Sequence, residues 1–556
     1  MTEYYPFSNF RALRRALHLL MQSRVSHESL NFPVPRIFGL MTDTSSRLTN
    51  FQPALWEDNS LKINQLPPMG SAQFDPIFTF TSIDVHSRMA NNPICVSDVD
   101  EVAHIDRLLK FGRPGWWAIY HHYPRKNMLE LAAVKLTGTQ HPSDILFSTQ
   151  LTAAVDDNTK LRLLAVVSPR LAITSGPYTR EAAETVASHL AIVVSADHHR
   201  HFLRTVYPSE PIVAAAAASL TVGMNGWTNT LCALTSYIQT GIVNGGCRGE
   251  LLTKILCLMA VDESMRDVVL QSSSYWQYAV PVKVSVFLDN LITAPRDFKS
   301  FTEAIRATSI NDERLNRFLN GHVFFNHFLR MEEKLTMPLI VQAWNRGAAL
   351  MCKDNTPLID HVIPVMLAST GGPAPKFGPL YDDWDEIQVQ EARQHVSYII
   401  INSKNWTNPK NWTTNYITAN KSNIVDCENP PGIANNRLWM TIMQEYGPRQ
   451  NQEEHITIFP SRGQKKPLED TTHLHVILKE LGDETYSGFR TNYIHPLAQR
   501  YLEALLVASG NNDSTDDKSN SIRRDNIPVM LGDYTTTSKE TWRTYLQDRD
   551  LMQLDE

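Results

Sequence analysis

Cysteine is scarce: six residues, at 95, 232, 247, 257, 352 and 427, in a chain of 556. No two have the two-residue spacing of a zinc knuckle, and the density is far below that of a disulfide scaffold. Long apolar runs are missing too. The longest starts at Pro211 and continues to Val222, short of the ~20 residues that a membrane span requires, so no membrane partner is expected. A basic excess is also lacking: 52 Lys and Arg stand against 58 Asp and Glu, for a net charge of -6 and a pI near 6.3. Dedicated nucleic-acid binders usually show the opposite balance, so a nucleic-acid partner stays open without support from charge. No G-x-x-x-x-G-K, G-x-G-x-x-G, H-E-x-x-H or G-x-S-x-G occurs, which removes the main motif-based nucleotide, metalloprotease and serine-hydrolase readings. With no secretory signal visible, the chain is expected in a reducing intracellular compartment, cytoplasmic or nuclear.

What is present is material for several cores. A hydrophobic fraction of 42% and 9% aromatic residues are ordinary for a globular protein, and the length suggests three compact units. Residues 1–178 read as an N-terminal α+β region. It opens with an amphipathic helix (Leu13, Leu17 and Leu20 on one face) that is expected to dock on the protein itself. Trp116 to Tyr120 and Leu161 to Val167 look like strands, the second ended by Ser168-Pro169. From 179 to 335 the helical period dominates, with Gly249 to Ala260 as a buried helix and Val282 to Phe287 ambiguous between strand and helix. Residues 336–509 read as a mixed-sheet domain: Gly347 to Cys352, Leu358 to Leu367 and Val396 to Lys404 are strands, and Trp384 to His395 is a helix. Strands are also expected around Leu438, His455 and His475, with a final helix from Pro496. Residues 510–556 are a polar linker and tail. The expected class is thus α+β and multi-domain, a helical bundle followed by a sheet domain.

The neighbouring histidines (His121-His122; His198, His199 and His201) and Glu332-Glu333 read as surface residues. One constellation suggests chemistry. Asp360 sits in an apolar strand, where a carboxylate is costly unless something pairs with it. Asn402 and Lys404 share a face at the end of another strand, because side chains alternate with period two. An acid on one strand and acid-x-lysine on its neighbour is the arrangement of PD-(D/E)XK nucleases, where carboxylates hold Mg²⁺ and the lysine acts at the scissile phosphate. Here Asn402 replaces an acid, so Mg²⁺ or Mn²⁺ held by Asp360 and Asn402 is expected to bind weakly. Glu333 and Gln342 are candidates for an extra ligand. If Asp360 is only structural, Lys404 or Arg346 is its expected partner.

Five stretches carry a resemblance. They are Tyr207-Pro-Ser-Glu-Pro, Arg248-Gly-Glu-Leu-Leu-Thr-Lys with Ala260-Val-Asp, Phe324-Phe-Asn-His-Phe, Ala343-Trp-Asn-Arg-Gly through Val365, and His395-Val-Ser-Tyr through Ser403-Lys-Asn. Together they resemble an uncharacterised family expanded in mushroom-forming fungi. The second half is also similar to the nuclease-like domain of Crinkler-type effectors. The resemblance implies a restriction-endonuclease-like sheet domain, with Asp360 and Lys404 as site positions and Asn402 as the departure. The expected function is a degenerate metal-dependent nucleic-acid phosphodiesterase. The rivals are a catalytically inactive interaction or effector protein, and a self-assembling structural protein.

Overall fold

The computed structural model describes residues 83–89, 94–123, 127–142, 156–174, 179–196, 203–222, 226–239, 248–271, 278–308, 312–331, 335–352, 359–369, 376–379, 384–404, 438–446, 455–459, 473–491 and 493–507. The expected N-terminal helix, the histidines at 198–201, Glu332, Glu333, and the polar tail lie outside these residues. The architecture is mixed α/β. In chain order the strands are β1 (Ile94–Val96), β2 (Ile192–Ala196), β3 (Leu203–Val206), β4 (Val282–Lys283), β5 (His322–Val323), β6 (His327–Arg330), β7 (Ala348–Met351), β8 (His361–Met366), β9 (Lys376–Pro379), β10 (Val396–Lys404), β11 (Trp439–Glu445), β12 (Ile456–Phe459) and β13 (His473–Lys479).

Two compact units separate. Among the described residues the smaller holds the helix Thr179–Ser188 and the antiparallel ribbon of β2 and β3. The larger holds everything else, including a nine-stranded sheet in the order β12-β13-β11-β10-β8-β5-β4, with β7 also on β8 and β6 on β7. β10, β11 and β13 run parallel, whereas β8 is antiparallel to β10. The sheet draws strands from both sides of residue 336, since β4, β5 and β6 come from the stretch read as helical.

The helix Arg248–Gln271 is long and apolar through its middle: Leu252, Ile255, Cys257, Leu258, Ala260 and Val261 are all fully buried. It shares one core with Ile363 and Val365 of β8, Ile399 and Ile401 of β10, and Met440 and Ile442 of β11. Alternate residues of these strands therefore face that helix.

Two expected strands are helices. Trp116 to Tyr120 lie in the helix Pro114–His122. Their aromatic and β-branched content suggests a strand, but Pro114 at the first turn and the Glu210 carboxylate accepting the Arg113 N–H at 2.8 Å start a helix. Leu161 to Val167 lie in Asp157–Leu171, with the Asp156 side chain capping Thr159 N at 3.0 Å. This helix is enclosed by other elements from Leu163 to Leu171, so its apolar run carries no amphipathic period, and Pro169 is inside its last turn rather than past its end. Val282 to Phe287 divides: β4 takes the first two residues and the helix Val284–Leu291 takes the rest.

Polar side chains stitch the larger unit internally. Arg346 reaches the Asp84 carboxylate and donates to Ser209 O at 3.0 Å, with its guanidinium 4.8 Å from the Phe111 ring centroid. Asn345 accepts the Val96 N–H at 2.9 Å, and the Trp344 indole donates to Val96 O at 3.0 Å. Gly347 follows in the left-handed region (φ 66°), where a Cβ would meet the Phe324 ring at 2.9 Å; glycine suits this helix end for both reasons. A second staple joins Arg170 to Asp262 through two hydrogen bonds of 2.8 and 2.6 Å. Between them, His327 contacts Ser209 Oγ at 2.6 Å and Asn326 Oδ1 at 2.7 Å.

Candidate functional site

β8 ends its pairing with β10 at His361, opposite Ile401. Asp360 occupies the bend just before it rather than the strand interior expected from its apolar neighbours, and is half-buried. Its backbone N–H still donates to Ile401 O at 3.1 Å. Beyond that point β10 continues for three residues with no β8 backbone opposite, and the Asp360 carboxylate takes over: Oδ2 accepts the Ser403 N–H at 2.6 Å, and Oδ1 accepts from Asn402 Nδ2 at 3.4 Å. The first contact is a tight charge-assisted bond, and the second is at the limit of one.

Asn402 is 1% exposed, and its Oδ1 is buried with no hydrogen-bond partner among the described residues. A buried amide oxygen left in that state costs roughly 1–3 kcal/mol and calls for an explanation. Lys404 ends β10 in register with Glu445 of β11; its side chain lies outside the described residues.

The helix Arg248–Gln271 brings its first turns to the same place. The His361 ring Nε2 contacts Glu250 O at 3.1 Å. Cys352 is held as the thiol, its pKa pushed up to about 12 by burial and then by the negative charges of Asp360 and Glu250. Two carboxylates from elements 110 residues apart thus act on one buried sulfur. Burial pushes His361 down to about 3, with the positive charge of Lys254 adding to the effect. Lys254 itself is buried and donates to Leu171 O at 2.6 Å. One turn from Glu250, Thr253 meets the ends of β10 and β11: Ser403 Oγ at 2.5 Å, the Gln444 amide oxygen and Tyr446 Oη at 2.9 Å.

Asp360 and Asn402 are therefore brought together. Arg346, the other expected partner of Asp360, is committed to Asp84. Gln342 is buried in the helix Met337–Arg346, which packs on β7 and β8. His121 bonds Asp106 at 2.9 Å on the surface. Glu250 and Thr253 are not among the site residues expected from the sequence; the available signal is an acid and a hydroxyl in the first turns of a helix whose middle is apolar. Among the described residues no group of three or more His, Cys, Asp or Glu is placed to hold a metal ion. No described helix is long and apolar enough to cross a membrane.

A domain of unknown function (DUF8736) matches residues 155–373. The match takes in Glu250 and Asp360 and stops before β10. No curated protein and no solved structure matches the chain.

Proposed function

We propose that the Asp360 end of the sheet is a nuclease-derived site, and that the protein is a metal-dependent nucleic-acid phosphodiesterase whose metal set is weakened by Asn402. The observation that carries this reading is the convergence of Asp360 and Asn402 at the ends of two antiparallel strands, with the Asn402 amide against the carboxylate and its Oδ1 buried without a hydrogen-bond partner among the described residues. An orphaned acceptor next to an anion fits a cation better than it fits a closed hydrogen-bond network.

The donor set fits a hard divalent ion in kind. Asp360 accepts the Ser403 N–H on Oδ2 and Asn402 Nδ2 on Oδ1, and a carboxylate is the oxygen ligand such an ion prefers. Asn402 would supply a neutral oxygen, and Glu250, from the facing helix, a second negative charge. The metal would supply Lewis-acid polarisation of a phosphoryl oxygen and activation of water at neutral pH. Ser403 N–H would hold the Asp360 carboxylate in one orientation, and Lys404, at the end of the same strand, is the residue the nuclease resemblance assigns to the phosphate.

A second reading has its own support. Both Asp360 oxygens already accept N–H donors from β10, which completes a strand-end cap without any ion. An inactive interaction protein would keep that arrangement. The two readings separate by Mn²⁺ calorimetry on the parent and on Asp360→Ala, paired with a cleavage assay on DNA and RNA. The phosphodiesterase reading expects weak Mn²⁺ binding that Asp360→Ala abolishes, and any metal-dependent cleavage to vanish with it. Binding heat that survives Asp360→Ala unchanged would contradict it.

A further inference from the structure

Buried hydroxyls on helices usually bond back to their own helix. Thr230 does so with Gly226 O at 2.8 Å, and Ser264 with Ala260 O at 2.7 Å. Thr253 does something else. It is fully buried, and its single hydroxyl lies against three side chains from two strands: Ser403 of β10, Gln444 at the end of β11, and Tyr446 just beyond it. Gln444 and Tyr446 are joined to each other at 2.6 Å. Ser403 and Gln444 are opposite each other in the parallel register, so Thr253 sits over the junction of the two strand ends.

We propose that Thr253 is the positioning residue of the site, setting the helix that carries Glu250 against the strand end that carries Asp360. Its effect on metal binding rests on the phosphodiesterase reading; its geometry does not. Glu250 and Thr253 are three residues apart and share a helix face, so docking one fixes the other. On the strand side, Thr253 holds the Ser403 side chain, and the Ser403 N–H is the donor that fixes Asp360 Oδ2 at 2.6 Å. This stretch of β10 lies past the end of its pairing with β8. Among the described residues β11, the Asp360 carboxylate and Thr253 anchor it there. The bland account is generic packing of a small polar residue. It expects valine, equal in shape to threonine, to serve nearly as well as serine.

The test compares Thr253→Val and Thr253→Ser in the full chain, with two readouts. Amide exchange at Ser403 reports on the Asp360 contact with no metal present. Thr253→Val is expected to speed that exchange about tenfold or more, Thr253→Ser to return it to within about threefold of the parent, and Asp360→Ala to speed it as valine does. Mn²⁺ calorimetry is the second readout, with Thr253→Val expected to weaken binding about tenfold and Thr253→Ser to restore it. Unchanged Ser403 exchange in Thr253→Val overturns the positioning role, whatever the metal data show. So does a serine variant that behaves as valine does. Exchange that responds as expected in a protein with no Mn²⁺ binding in any form supports the positioning role and removes the phosphodiesterase reading alone.

Discussion

Arg170→Met is expected to lower the unfolding free energy by roughly 3–5 kcal/mol, the usual cost of leaving one member of a buried ion pair alone. Arg170 is fully buried, and its partner Asp262 is 3% exposed. The pair is bidentate, and its surroundings are polar by design: Arg170 also donates to Asn326 O at 3.0 Å and Thr221 Oγ1 at 2.8 Å, while the Trp227 indole donates to Asp262 at 3.2 Å. Burial raises the Asp262 carboxyl above its usual range, and Arg170 and Trp227 oppose that shift. Removing the guanidinium strands an anion among apolar helices. Adding Asp262→Asn to Arg170→Met removes the stranded charge and should recover about half of the loss. Denaturant midpoints of the parent, single and double variants measure both steps. A single variant within about 1 kcal/mol of the parent would mean that the pair is not desolvated as described.

Acid should be still more costly. His327 and His361 are fully buried, and His475 is 3% exposed. Burial pushes His327 down to about 3, helped by the charges of Arg346 and Arg170, and it pushes His361 to about 3 and His475 to about 4. In the unfolded chain each would titrate near 6.5. A depressed histidine takes up its proton only on unfolding, so its contribution is complete above about pH 6.5 and is lost as the pH falls toward the folded value. Three such groups give a slope approaching three protons, about 4 kcal/mol per pH unit, and a loss of about 6 kcal/mol by pH 5. Urea midpoints at pH 7.5, 6 and 5 check the slope. A flat profile across that range would mean that these rings are hydrated in the native state.

Some of this was readable in the residues, and the reasons differ by element. β10 runs from Val396 to Lys404 as its apolar run ending in polar residues suggests, and β7 and β8 fall inside the expected strands. Strands covered on both faces announce themselves by continuous hydrophobicity. The same signal misleads at Leu161 to Val167, because a helix enclosed on all sides is equally continuous and only its Asp156 cap distinguishes it. Alternation puts Asn402 and Lys404 on one face of β10, and the acid-then-acid-x-lysine arrangement joins Asp360 to them. Glu250 and Thr253 have contacts 111 and 150 residues away, which no local pattern reveals. Many of the polar residues in the motifs behind the family resemblance have a third explanation. Ser209, Glu210, Asp262, Asn326, His327, Asn345 and Arg346 are buried staples within the larger unit, so their chemistry serves stability.

The most direct test of the proposed site is a Mn²⁺ titration of Asn402→Asp by calorimetry. The substitution places a second carboxylate where the amide now stands, beside Asp360, and restores the charge that a divalent ion needs. The account predicts Mn²⁺ affinity at least about tenfold above the parent, equal to about 1.4 kcal/mol. An Asn402→Asp protein that binds Mn²⁺ no better than the parent would contradict a nuclease-derived site and leave Asp360 as the cap of a strand end.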